Sequence, residues 1–267
     1  LYTLPANMLF FTFINRPVMH KIIHLCLLLI LLLSARPVLA TVVVFEAGFG
    51  QTAQSWAPLL KHLPADYKVI TYPRPSIAQA NAKPTSIAED VQYLISQLKP
   101  FQGEQIVLVG HSYGGLIVSQ VAELTPELIH GVVLLEPTVL SQRRQFKAID
   151  SQRIAADDEL MQQYLPAHLL AQYQLLSQQL DDAAIDTYPL PEDLPVALFT
   201  STRRAADPLF FEETEQGKQQ WLALHQALIS NSEQAWHIRS KQFGHQPHKD
   251  QPALVAQAIT ELLSHKN

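Results

Sequence analysis

Residues Ile106 to Leu116 read IVLVGHSYGGL. The first four are β-branched residues and leucine, the composition of a fully buried strand. The run ends at Gly110, and Ser112 follows between Gly110 and Gly114 in the pattern Gly-x-Ser-x-Gly. The residues from Ser112 to Leu124 then read as a helix. A strand that turns into a helix this tightly strains the serine backbone. Only glycine fits on either side, because side chains there would collide with the strand or the helix. The strain lifts the Ser112 hydroxyl above the sheet edge, at a helix N-terminus that favours developing negative charge. The plainer alternative is a helix N-cap serine with glycines present only for packing.

Working outward, the chain alternates between short apolar runs and helical patterns. TVVVFEAG, from Thr41, reads as the first strand. Ser55 to Leu63 follows as a short helix, then YKVITYP as a second strand. Thr85 to Lys99 places Ile87, Val91, Leu94, Ile95 and Leu98 on one helical face, and Pro100 stops it. QIVLVG, GVVLLE, PVALFT and AWHIRSK read as further strands. Glu215 to Ile229 and Gln251 to Leu263 read as helices. Continuous hydrophobic strands alternating with helices predict an α/β fold with a mostly parallel sheet covered on both faces.

Residues 139 to 190 interrupt this rhythm. They are rich in Gln, Leu, Ala and Asp, with helical spacing at Leu160, Met161, Tyr164 and Leu165, then Leu169, Leu170 and Tyr173. They predict a helical lid over the carboxyl edge of the sheet. An ordinary long crossover is the alternative.

The amino-terminal stretch is expected to lie outside the fold. From Met19 the chain reads MHKIIHLCLLLILLLSARPVLA. Lys21 supplies a positive charge, Ile22 to Leu33 a short apolar run, and Val38 and Ala40 the small residues a signal peptidase reads. Met19–Ala40 therefore reads as a signal peptide cleaved after Ala40, with residues 1–40 as leader and upstream segment. The apolar run is shorter than the roughly 20 residues of a spanning helix. An exported, periplasmic or secreted domain of residues 41–267, without a lasting membrane anchor, is expected. The first residue is Leu1, so the residues before Met19 read as upstream translation or a mis-chosen start. The single cysteine, Cys26, falls in the leader, which leaves the mature domain without thiol or disulfide.

VFEAGFGQTAQSW, VGHSYGGLI, GVVLLEPT and FGHQPHKDQPALVAQAI occur in the order expected of α/β-hydrolase fold proteins. The chain resembles that superfamily, in its serine hydrolase and esterase type, from about Thr41 onward. The resemblance implies a Ser–His–acid hydrolase with an oxyanion hole. Ser112 is the expected nucleophile. His245 follows the last strand, in a loop over the same sheet edge, and is the expected base. His248 is its rival, but stands nearer the helix start, where a surface or capping role is expected. His111 reads as a turn-packing residue. The oxyanion donors are expected to be the backbone N–H groups of Tyr113, after the nucleophile, and Phe49, in the loop bent by Gly48 and Gly50. Trp56 is expected to pack that loop.

The acid has two candidates. Glu136 ends an apolar strand, where a carboxylate is costly unless it has a partner, and His245 would be one. Asp207 is the alternative acid. It lies in a polar loop with Arg203 and Arg204, where an exposed ion pair would account for it, and the family's short Gly-x-x-Asp after that strand is missing. Glu136 is preferred. A salt bridge from Glu136 to Arg143 or Arg144 is the structural alternative.

The expected activity is hydrolysis of a carboxylic ester or related acyl bond of a small molecule, through an acyl-enzyme. A non-catalytic member of the fold that binds a ligand or partner is the second class. A net charge of −5 and the absence of a basic stripe argue against nucleic acid. No His-Glu-x-x-His and no cysteine ligands occur in residues 41–267, so no metal or cofactor is expected.

Overall fold

A computed structural model describes residues 40–79 and 81–264. The expected signal peptide falls outside them, apart from Ala40. Among the described residues six strands are present: β1 (Thr41–Glu46), β2 (Lys68–Thr71), β3 (Gln105–His111), β4 (Ile129–Leu135), β5 (Val196–Ser201) and β6 (Ala235–Ser240). They form one sheet in the order β2-β1-β3-β4-β5-β6, and every neighbouring pair is parallel. The helices are α1 (Ala57–Leu60), α2 (Ile87–Leu98), α3 (Tyr113–Leu124), α4 (Gln142–Tyr164), α5 (Ala167–Asp181), α6 (Glu215–Leu228), α7 (Pro247–Asp250) and α8 (Pro252–Ser264).

The four inner strands read as largely apolar runs because both faces of the sheet are covered there, while the edge strands β2 and β6 are only partly buried. Val42, Val44, Leu108, Leu134 and Leu198 face one core, with Leu94 of α2, Ile117 of α3 and Trp221 of α6. Val43, Phe45, Val109, Leu135 and Phe199 face the other, with Leu59 of α1 and Ile259 of α8. Each fully buried residue of this kind contributes about 1.5–3 kcal/mol. A slip of one residue would exchange the two faces, so each side chain would meet the wrong set of helices.

Local signals set the ends of the elements. Ser86 caps α2, accepting from the Glu89 N–H at 3.2 Å, while Glu89 accepts from the Ser86 N–H at 2.7 Å. This reciprocal pair satisfies two of the free donors of the first turn. The segment expected as one helix over Ser55–Leu63 is instead a 3₁₀ turn, Ala53–Trp56, running into the single turn of α1. Residues 139–190 hold α4 and α5, between β4 and β5 in the chain. Helix α4 breaks at Asp150 (φ −151°, ψ 88°), whose carboxylate accepts from the Arg153 N–H at 2.9 Å and restarts the helix. Among the described residues no helix is long and apolar enough to cross a membrane.

Candidate active site

The carboxyl ends of β1, β3, β4, β5 and β6 bring the candidate residues to one edge of the sheet. Ser112 follows β3 with φ 50° and ψ −120° and leads directly into α3. Its N–H donates to the Leu135 carbonyl at 3.0 Å, and its own carbonyl accepts from Gly115 and Thr138. The flanking glycines are sterically required. A Cβ on Gly110 would lie 2.5 Å from Val118, and one on Gly114 only 2.2 Å from the Glu46 carbonyl oxygen.

Glu136, after β4, also has a positive φ of 50°. It is fully buried. One carboxylate oxygen accepts from the Ser201 N–H at 2.6 Å and the Trp221 indole N–H at 3.2 Å. The other lies 3.4 Å from His245 Nδ1 and 3.8 Å from Lys218 Nζ. The Nδ1–H donates in the first contact, at a length common for catalytic hydrogen bonds without substrate. Burial alone would raise the Glu136 carboxyl. The His245 hydrogen bond and the Lys218 charge overcome it and hold the group below its ordinary range. Burial likewise works against a charged His245, yet the Glu136 hydrogen bond and the Glu212 carboxylate outweigh it and raise the imidazole. With Nδ1 on Glu136, the His245 ring remains partly open, its side chain 39% exposed.

Asp207 is exposed. The arginines expected to explain it pair elsewhere, Arg203 with Asp250 at 3.3 Å and Arg204 with Glu215 at 2.9 Å. The alternative partners of Glu136 are also occupied. Arg143 binds Asp158 at 2.8 Å and Asp181 at 3.2 Å, tying α4 to α5, and Arg144 binds Asp186.

His248 departs from its expected surface or capping role. It is fully buried, with ring centroids 4.6 Å from both Trp56 and His111, and burial lowers it to about 3. Trp56 is fully buried and packs on Phe45 as well, as a loop-packing residue should. His111 does more than fill the turn. Burial and the neighbouring His245 keep it neutral, and its Nε2–H donates to the His245 carbonyl at 2.7 Å. Its Nδ1 lies 3.0 Å from Oε1 of Gln51. His111 thus joins the serine turn, the loop after β1 and the histidine loop.

Ser112 and His245 line one cavity of about 340 Å³ with Gly48, Phe49 and Tyr113. Neither the Phe49 nor the Tyr113 N–H enters a turn, loop or cap hydrogen bond among the described residues. The opposite wall is mostly apolar and comes from α4, α5 and the segment before α6, including Phe146, Met161, Leu176 and Phe211. Glu212 lines it too, and burial raises its carboxyl. Sequence reasoning passed over Glu212, because one acid in a polar stretch before a helix resembles a solvated first turn. It also passed over Arg74, whose position between two prolines was the available signal. Among the described residues no cluster of three or more His, Cys, Asp or Glu side chains could hold a metal.

The arrangement offers a displayed hydroxyl, an imidazole oriented by a buried carboxylate, and free backbone donors beside them. Comparisons with known proteins agree with the fold. The chain is 28% identical over 224 residues to the uncharacterized protein YqjL of Bacillus subtilis (strain 168), covering 82% of each chain. It is 34% identical over 100 residues to RutD of Klebsiella pneumoniae (strain 342), a protein provisionally named a carbamate hydrolase, covering 36% of this chain and 37% of that one. Among solved structures it resembles MGS-MChE2, an α/β hydrolase enzyme from a lagoon-sediment metagenome of Mar Chica, Morocco. The TM-score there is 0.58 at 16% identity, covering 85% of this chain and 92% of the other. The fold and the hydrolase-named relatives support a hydrolase. The family model described as alpha/beta hydrolase fold matches residues 41–243, and the chain belongs to that family.

Proposed function

We propose that the protein is a serine hydrolase cleaving a carboxylic ester or related acyl bond of a small molecule. The observation behind this is that a strained Ser112, φ 50°, lines the same cavity as a His245 whose Nδ1 faces the buried Glu136 carboxylate at 3.4 Å. In this reading Ser112 Oγ attacks the acyl carbonyl while His245 Nε2 removes its proton. The tetrahedral oxyanion is held by the N–H groups of Phe49 and Tyr113, at the N-terminus of α3. Glu136 fixes the Nδ1–H tautomer and stabilises the imidazolium. Collapse breaks the bond to the leaving group, which takes its proton from His245. Water, activated by the same imidazole, then cleaves the acyl-Ser112 ester and regenerates the hydroxyl.

The apolar wall from α4 and α5 supports their reading as a lid and suits an apolar acyl or leaving group. Carbamates share the acyl carbonyl and belong in the substrate panel, given the relative named for them. Export by the Met19–Ala40 leader is part of the same proposal. Sequencing the N-terminus of exported protein tests it, with Thr41 as the expected first residue.

The catalytic reading is tested with chromogenic esters and carbamates of graded chain length, beside labelling by a fluorophosphonate. Ser112→Ala should abolish both turnover and labelling while the protein stays folded. Loss of a serine nucleophile in such a unit costs about 10⁶-fold in kcat. Labelling that persists in the variant refutes the proposal.

A further inference from the structure

Beneath the serine turn lies a buried ionic cluster that the catalytic reading leaves unused. Arg74 stands in the stiff sequence Pro73-Arg74-Pro75, after β2, and is 3% exposed. Its Nη1 bonds Glu46, the last residue of β1, and also donates to the Ala47 carbonyl at 2.5 Å. Its Nη2 donates to the Gly48 carbonyl at 2.7 Å. The guanidinium carbon lies 5.0 Å from the centroid of the Tyr113 ring, over its face. The Tyr113 hydroxyl in turn donates to Asp90 Oδ2 at 2.7 Å, and Asp90 lies 4.0 Å from Arg74 Nε. Tyr72 completes the set by donating its hydroxyl to Glu46.

This cluster is poorly explained as a stabiliser of the fold. A buried ion pair rarely outperforms apolar residues of the same volume, because desolvation consumes most of its attraction. Arg74 Nε even lacks a hydrogen-bond partner. What the guanidinium does hold is specific. Its two terminal nitrogens fix the carbonyls just before Phe49, and its face supports the side chain of Tyr113. Phe49 and Tyr113 supply the two N–H groups assigned to the oxyanion.

We propose that Arg74 is a positioning residue of the oxyanion hole, clamping the Ala47–Gly48 backbone and the Tyr113 ring so that the Phe49 and Tyr113 N–H groups converge on one point. The proposal rests on the serine hydrolase reading. Preorganised donors act only on charge that develops in the transition state, so misplacing them lowers kcat and leaves substrate binding nearly unchanged.

The test uses Arg74→Lys and the double variant Arg74→Met/Glu46→Gln, which removes both charges of the Arg74–Glu46 pair and leaves Asp90 held by the Tyr113 and Thr85 hydroxyls. In the double variant kcat should fall about 10²-fold, the scale of losing one oxyanion donor. KM should stay within about threefold, the signature of an interaction made only in the transition state. Affinity for a trifluoromethyl ketone, whose Ser112 adduct carries the oxyanion, should fall in step with kcat/KM. Arg74→Lys keeps the charge but cannot span both carbonyls, and should recover only part of kcat. Full recovery by Arg74→Lys overturns the proposal. So does a folded double variant with wild-type kcat, or one altered only in KM. If the double variant does not fold, Arg74→Lys decides alone by the same ratios. Wild-type protein that resists the fluorophosphonate refutes the hydrolase reading. Equal labelling rates in wild type and variant refute the Arg74 assignment by itself.

Discussion

Two neighbouring strands, β3 and β4, each deliver a non-glycine residue at φ 50°, yet the two turns are held by different means. A positive φ of this kind costs about 1–3 kcal/mol and persists only where the surroundings over-determine it. At Ser112 the surroundings are steric: glycines let α3 close against β1 and β3, and the hydroxyl is left exposed to the cavity. At Glu136 no glycine stands beside the strained residue, and Pro137 follows it. Both backbones are tied to the next strand, the Ser112 N–H to the Leu135 carbonyl at 3.0 Å and the Glu136 N–H to the Phe199 carbonyl at 2.9 Å. The Glu136 turn is held in addition through its own side chain, which accepts from the Ser201 N–H at 2.6 Å. One turn is fixed by what its neighbours lack. The other is fixed by what its own side chain accepts.

The largest effect that separates the two candidate acids comes from removing the Glu136 charge. In Glu136→Gln the amide can still accept from the Ser201 N–H, but it then presents its NH₂ to His245 Nδ1. That favours the wrong imidazole tautomer and withdraws support from the imidazolium. The kcat loss should approach the ~10⁴-fold of the corresponding Asp→Asn change in a Ser–His–Asp protease. Asp207→Asn, at an exposed position, should stay within about twofold, as surface charges do. Steady-state kinetics on one ester measures both. A large loss in Asp207→Asn with little in Glu136→Gln would transfer the role to Asp207.

The contrast between the turns also explains what could be read from the sequence. Steric demands leave glycines, and glycines are visible, so Gly110-x-Ser112-x-Gly114 located the first turn. Continuous apolar runs located β1, β3, β4 and β5, because burial on both faces permits little else there, whereas the edge strands β2 and β6 are only partly buried and carry polar residues. The Glu136 turn left only a carboxylate at the end of GVVLLE, enough to suggest a partner but not the backbone strain. Arg74 and Glu212 were hidden for another reason. Their partners lie far along the chain, with Glu46 and Tyr113 meeting Arg74 and His245 approaching Glu212, and no local pattern encodes such meetings. His248 was misjudged on similar grounds: its place at a helix start suggests exposure, whereas Trp56 and His111 enclose it.

A smaller effect, on stability, probes the steric turn directly. In Gly114→Ala the new methyl would meet the Glu46 carbonyl oxygen at 2.2 Å and the Ala47 carbonyl oxygen at 2.6 Å, and both are backbone atoms. Relief requires α3 to move away from β1, an overpacking that costs about 1–3 kcal/mol. For a domain of this size each kcal/mol lowers Tm by roughly 2–4 °C. Calorimetry checks this, and a variant that melts with the wild type would show that the turn tolerates a side chain. Activity should fall as well, because the same movement displaces Ser112 from His245.

The smallest effect tests whether Glu136 is alone in charging His245. Two carboxylates favour the imidazolium, Glu136 by its hydrogen bond and Glu212 by its charge from the cavity wall, while Lys218 opposes them. His111 and His248 also adjoin the ring, but both stay neutral. In the proposed mechanism His245 works as a base only when unprotonated, so kcat/KM should rise with pH through a titration above the ordinary histidine range. Glu212→Gln removes one source of that elevation, and the acid limb should move to lower pH. The plateau should drop only a few-fold, in contrast to Glu136→Gln, because the tautomer is untouched. Lys218→Met should move the limb the other way. An acid limb that stays in place in Glu212→Gln would mean that Glu212, itself raised by burial, is protonated over the same range and lends His245 no charge. The elevation would then belong to the Glu136 turn alone.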